Sequence, residues 1–125
     1  GFTSGKSWLP IPDSWRDFSV EVQKNEDASY LTLYKQSLRI RSHHPALKPS
    51  DLHDVSEAIM WLPSSDGVLI FRREPNFVLV ANTTDKTRGI EILGDLLLAS
   101  SNDVTLERGI LRIPGNSTCW INASH

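Results

Sequence analysis

Side chains able to do chemistry are few in this 125-residue chain. Carboxylates stand at Glu21, Glu26, Asp27, Asp51 and Asp54, and paired carboxyls can divide general acid and base work between them. These fall where helix caps and solvated surface would place them, so no acidic residue is assigned a catalytic role. His43 and His44 suggest a metal, but adjacent histidines at a helix end diverge and no third ligand is evident, so no metal is expected. Serine, histidine and aspartate all occur without a G-x-S-x-G nucleophile elbow. Cys119 is the single cysteine, so the chain can form neither an internal disulfide nor a cysteine cluster for zinc. The stretch Gly1 to Gly5 hints at phosphate binding but is read as lacking the lysine-serine/threonine ending of a P-loop, so it is given little weight, and no cofactor is expected. Trp8, Trp15, Trp61 and Trp120 could stack on sugar rings. For Trp61 and Trp120, which lie mid-strand, burial inside a sandwich is expected. For Trp8 and Trp15, packing within a loop is preferred over sugar contact. Asn82, Asn116 and Asn122 each open an N-x-S/T sequon, read as turn residues rather than glycan sites.

Charge and composition narrow the classes. Hydrophobic residues at 39% and charged residues at 22% describe a globular chain rather than a disordered one. A net charge of −2 gives no basic surface for a nucleic-acid backbone and none for an anionic membrane. No apolar run is long enough to span a bilayer. Gly1 to Lys6 has no apolar h-region of a secretory signal, which with the lone cysteine implies a cytoplasmic home. The missing initiator Met suggests processing, trimming or excision from a longer chain.

Three stretches must position these residues. Gly1 to about Asn25 has neither helical nor strand period, apart from Val20-Glu21-Val22, which could be a brief extended piece. Such a long aromatic loop is uncommon in a free-standing domain. From Asp27 to about His43 the period is helical. Asp27, or alternatively Asn25, is the expected N-cap. Tyr30, Leu31, Tyr34 and Leu38 make an apolar stripe that Leu33, Ser37 and Ile40 widen, and Pro45 ends the helix. The remainder reads as short strands: Ala58–Leu62, Val68–Phe71, Phe77–Asn82, Gly89–Leu93, Asp95–Ala99, Gly109–Ile113 and Thr118–Asn122. Turns at Asp66-Gly67 and Pro114-Gly115-Asn116 separate four of them. That spacing predicts an antiparallel sandwich or barrel, although Ile90 to Leu98 could be helical by composition alone. A lone helix ahead of strands is unusual, because its stripe must bury against something.

The order of motifs carries a resemblance. Gly1-Phe2-Thr3-Ser4-Gly5-Lys6-Ser7-Trp8 resembles the GFTTG-x-PW stretch of oligo-1,6-glucosidases and related α-glucosidases of the α-amylase family (glycoside hydrolase family 13), with Ser7 in place of the usual proline. Val20-Glu21-Val22-Gln23 through Leu31 is similar to their NVEVQ…D-x-x-S-L-L. Leu33-Tyr34-Lys35 through Arg41, closing on His44-Pro45-Ala46-Leu47, is similar to their LYR-x-LI-x-LR…P-AL. Val78 to Asn82 resembles a strand of the family's C-terminal domain.

The resemblance implies a mainly β chain: an antiparallel β-sandwich of the amylase C-terminal type, preceded by a loop and one α-helix left from a (β/α)8 barrel. Residues 1–48 would be the end of the catalytic barrel, and 49–125 the all-β C-terminal domain. The parent would hydrolyse terminal α-glucosidic bonds with retention. The carboxylates for that chemistry would lie on barrel strands that precede Gly1, leaving this chain structural. Loops after barrel strands lie on the catalytic face, so Phe2 and Trp8 would lie near the sugar. The implied partners are the rest of the barrel and, in the intact parent, α-glucosides. Self-association through the orphan helix is a further expectation. A stand-alone β-sandwich module binding carbohydrate or protein is the alternative.

Overall fold

A computed structural model of the chain describes residues 4–48 and 59–124. Phe2, Asp51 and Asp54, and the edge of the expected domain boundary, lie outside the described residues. Contacts divide the chain into two compact units, Gly1–Gln36 and Ser37–His125.

The first unit corrects three expectations. A 3-10 helix at Asp13–Phe18 occupies part of the supposed loop. Val20–Gln23 is a short α-helix (α1), not an extended piece. Ser19 caps it, its hydroxyl accepting from Val22 N–H at 3.4 Å, and a cap outweighs two β-branched residues over a single turn. The main helix α2 spans Tyr30–His43, starting three residues later than its expected cap at Asp27. Ser29 caps it instead, accepting from Thr32 N–H at 3.2 Å. Gln23 reaches eight residues along the chain and accepts from Leu31 N–H at 2.9 Å. Ser29 in turn donates to the Gln23 carbonyl at 2.9 Å. Two first-turn amides are thereby satisfied from within, and both accepting residues, Gln23 and Ser29, are buried. On α2, Tyr30, Tyr34 and Leu38 remain exposed.

The second unit is an antiparallel sandwich. Its strands are β1 Ile59–Trp61, β2 Val68–Arg73, β3 Phe77–Asn82, β4 Arg88–Glu91, β5 Gly94–Ala99, β6 Thr105–Glu107, β7 Ile110–Ile113 and β8 Ser117–Ala123. One sheet has the order β1-β2-β3-β8-β5, the other β4-β7-β6. The composition-based helix over Ile90–Leu98 is instead two strands, broken where Gly94 takes φ +151°. β6 was not anticipated. It joins β7 through Arg108-Gly109, whose φ values of 51° and 78° make the two-residue turn that matches strand twist.

Alternation sets the core. Val68 and Ile70 on β2, Val78 and Val80 on β3, and Cys119 and Ile121 on β8 point inward, meeting Leu111 and Ile113 from the smaller sheet. Each such side chain, fully buried, contributes about 1.5–3 kcal/mol. The register pairs Val68 with Asn82 and Ile70 with Val80, then Val80 with Cys119 and Val78 with Ile121. The inward residues therefore lie in continuous rows across strands.

Candidate functional site

The same register decides the tryptophans. Trp61 pairs with Phe71, Phe71 with Leu79, Leu79 with Trp120 and Trp120 with Leu98. Every member of that row has the outward parity. Burial of Trp61 and Trp120 inside the sandwich is therefore not found: Trp61 is 66% exposed and Trp120 is half-buried on the outer face of the larger sheet. Mid-strand position says nothing of face, whereas the alternation Ser117, Cys119, Ile121 against Thr118, Trp120, Asn122 does. Trp61 and Phe71 meet edge to face at 5.7 Å, as do Phe77 and Trp120 at 5.6 Å.

In the first unit Trp8 is 90% exposed, beside a bend in which the Ser7 hydroxyl donates to the Leu9 carbonyl at 2.7 Å. Trp15 is also exposed. Gly5-Lys6-Ser7 does carry the Gly-Lys-Ser ending of a phosphate loop, but the spacing from Gly1 is one residue short. No helix follows directly to aim its N-terminus at an anion, which is what such a loop requires. A cleft of about 280 Å³ is lined by Asp17, Phe18, Gln23, Glu26, Ser29 and Tyr30, among others. The amide oxygen of Gln23 and the hydroxyl of Ser29 are already engaged with helix α2, and Asp17 and Glu26 are exposed.

His43 and His44 serve different ends. His43 Nδ1 lies 2.8 Å from the Arg39 carbonyl at the close of α2. His44 Nδ1 accepts from Ala46 N–H at 3.2 Å, which leaves the ring proton on Nε2, facing Asn122 Oδ1 at 3.3 Å. The His44 ring stands edge to face on Phe77, centroids 5.6 Å apart. It is thus a strap joining the residues after α2 to the sheet. Among the described residues no cluster of three or more His, Cys, Asp or Glu could hold a metal ion. Burial pushes the Cys119 thiol up to about 12, so it is a small core residue and not a nucleophile.

Asn82 is expected only as a strand-end or turn residue, and the structure gives it a larger role. It is 1% exposed. Its amide nitrogen donates toward the carbonyls of Lys86, Ile113 and Pro114 at 2.8, 3.1 and 3.0 Å. Its oxygen accepts from Thr84 N–H at 3.1 Å and Thr84 Oγ1 at 2.8 Å. One side chain thus ties the end of β3 to the entry of β4 and the exit of β7, across the two sheets. The available signal was an asparagine at an inward position of an apolar strand, where only a satisfied amide survives.

The whole described fold matches solved enzymes. An α-glucosyl transfer enzyme aligns over 99% of this chain and 23% of its own, at 26% identity and a TM-score of 0.69. The trehalulose synthase of Pseudomonas mesoacidophila aligns over 99% and 23%, at 18% identity and TM-score 0.75. The trehalose-6-phosphate hydrolase of Bacillus licheniformis aligns over 100% and 24%, at 14% identity and TM-score 0.74. No family model matches the sequence. The chain has the fold of the C-terminal region of α-amylase-family enzymes. It spans about a quarter of the length of the proteins it matches. No helix among the described residues is long and apolar enough to cross a membrane.

Proposed function

We propose that this chain is the C-terminal, non-catalytic part of an α-glucosidase whose parent cleaves terminal α-glucosidic bonds with retention. The observation that carries the reading is the alignment of the complete chain with about a quarter of each neighbour, one of which is an enzyme of α-glucosyl transfer. Residues 1–48 complete the barrel and 49–125 form the C-terminal domain, so this piece contributes apolar burial and no chemistry. The exposed Tyr30, Tyr34 and Leu38 of α2 support a barrel as its partner, and self-association when the barrel is missing. Phe2 and Trp8 stand near the sugar in the parent, for which the high exposure of Trp8 leaves room. The compartment is cytoplasmic, and no cofactor takes part.

A second reading, a module that binds carbohydrate, is favoured by the exposure of Trp8 and Trp61. Titration of the purified chain with maltose and isomaltose, followed by tryptophan fluorescence, separates the two. The structural reading predicts no saturable change, together with no turnover of p-nitrophenyl α-glucoside. Saturable quenching removed by Trp61→Ala or Trp8→Ala establishes the module.

A further inference from the structure

The chain contains a single Asp-Gly step, Asp66-Gly67, and no Asn-Gly step. That step bends the chain into β2. Val68 N–H donates to the Ser65 carbonyl at 3.0 Å, and Gly67, at φ +76°, takes the third position of the turn, where a positive φ is required. The hydrogen bond of such a turn joins its ends, so the central peptide stands outside it. Among the described residues neither the Gly67 N–H nor the Asp66 carboxylate has a hydrogen-bond or ion-pair partner, and both residues are exposed. Glycine also leaves the amide nitrogen without a shielding side chain. The carbonyl side of Gly67, by contrast, is held tightly. Its oxygen accepts from Thr83 N–H and from Thr83 Oγ1, each at 2.8 Å, and a Cβ at Gly67 would collide with Thr84 Cγ2. Thr84 is the residue that bonds the Asn82 oxygen through both its N–H and its hydroxyl.

We propose that Asp66-Gly67 is a site of spontaneous covalent modification, the isomerisation of aspartate to isoaspartate through a cyclic imide, and that the modified turn loosens the Asn82 lock between the two sheets. The Gly67 nitrogen attacks Cγ of the protonated Asp66 carboxyl. The N–Cγ bond forms, the C–OH bond breaks, and the hydroxyl leaves with the amide proton as water. Water then opens the imide ring. Addition at Cγ breaks the new bond and restores aspartate. Addition at the Asp66 α-carbonyl breaks the original peptide bond, so the main chain continues through Cγ and the α-carboxylate becomes the side group. Composition is unchanged, one oxygen has exchanged with solvent, and no oxidant, cofactor or enzyme is needed. The backbone gains a methylene beside a glycine that packs against Thr84 too closely for a Cβ. Gly67 then has to move off Thr83 and Thr84, and the Asn82 oxygen loses the fixed position of its partner. The unpartnered amide and the close fit lie in one turn, which couples the age of the chain to the integrity of its core.

Incubation of the 125-residue chain in heavy-oxygen water at neutral pH, followed by digestion and electron-transfer fragmentation, tests the site. Isoaspartate and heavy oxygen should accumulate at Asp66 several-fold faster than at the exposed Asp85, Asp95 and Asp103. The thermal midpoint should fall as the modified fraction rises. Asp66→Ala, which lacks the electrophile, should keep its midpoint through the same incubation. Asp66→Asn, which reaches the same imide by losing ammonia, should age faster than wild type. Labelling at Asp66 no faster than at the other aspartates overturns the site. Isoaspartate at Asp66 with an unaltered midpoint overturns the link to Asn82. A midpoint that falls equally in Asp66→Ala assigns the ageing to another residue and overturns the proposal as well.

Discussion

Replacing Asn82 by aspartate changes one nitrogen for one oxygen at a site that is 1% exposed. The side chain keeps its shape and its acceptor for Thr84, but it loses both N–H donors and gains a negative charge. Three carbonyls that it now serves, at 2.8 to 3.1 Å, would face a carboxylate. An unsatisfied buried polar group costs about 1–3 kcal/mol, more when charged. Two lost bonds plus a buried charge therefore amount to about 3–5 kcal/mol for Asn82→Asp. A domain's whole stability is about 5–15 kcal/mol, so the sandwich should sit near its unfolding threshold. Urea denaturation followed by tryptophan emission reads this out as a midpoint lowered by roughly 2–4 M. Burial among acceptors raises the introduced carboxyl's pKa above its unfolded value. The penalty is then largest at neutral pH and shrinks as pH falls through that raised pKa, since the protonated acid can donate one bond again. A midpoint within about 0.5 M of wild type at neutral pH would refute the idea that this amide holds the two sheets together.

Other outcomes follow from single residues. Ser29→Ala should cost about 1 kcal/mol and reduce the far-UV helical signal, while Asp27→Ala should leave both unchanged. Arg108→Asn should stabilise the sandwich by about 0.5–1 kcal/mol, because the left-handed conformation costs arginine more than asparagine; a lowered thermal midpoint would contradict the turn assignment. Cys119 should resist thiol reagents at pH 8 until the chain unfolds. Its folded pKa, about 12 against an ordinary 9.0, lies above the unfolded one, so its contribution is complete below pH 9.0 and is lost as pH rises toward 12. Urea midpoints of wild type and Cys119→Ala across pH 8–11 would show this slope in the first protein only.

Much of the fold was legible because strands announce themselves through turns. Asp66-Gly67 and Pro114-Gly115 punctuate runs whose observed limits lie within a residue or two of those expected, and Phe77–Asn82 coincides. β6 was missed because three residues, Thr105–Glu107, are too few to show alternation, and because Arg108 is not a residue that advertises positive φ. The helix start was misplaced because Gln23, eight residues upstream of Leu31, supplies part of the cap, and no local pattern encodes a partner at that distance. The faces of Trp61 and Trp120 were misassigned because hydrophobicity was taken as burial. Their parity against Ile70 and Cys119 was in the sequence all along, but it speaks only once the register is known. Of the residues placed near a sugar, Trp8 is at least exposed as that role requires, and Phe2 lies outside the described residues.

The central claim is the proposal that this chain completes an enzyme without performing its chemistry. Glucose release from isomaltose, measured side by side for the purified 125-residue chain and for a longer in-frame polypeptide that contains it, tests that claim most directly. The account predicts release by the longer protein and none above buffer by the chain alone. Saturable release by the isolated chain, abolished on unfolding, would contradict it.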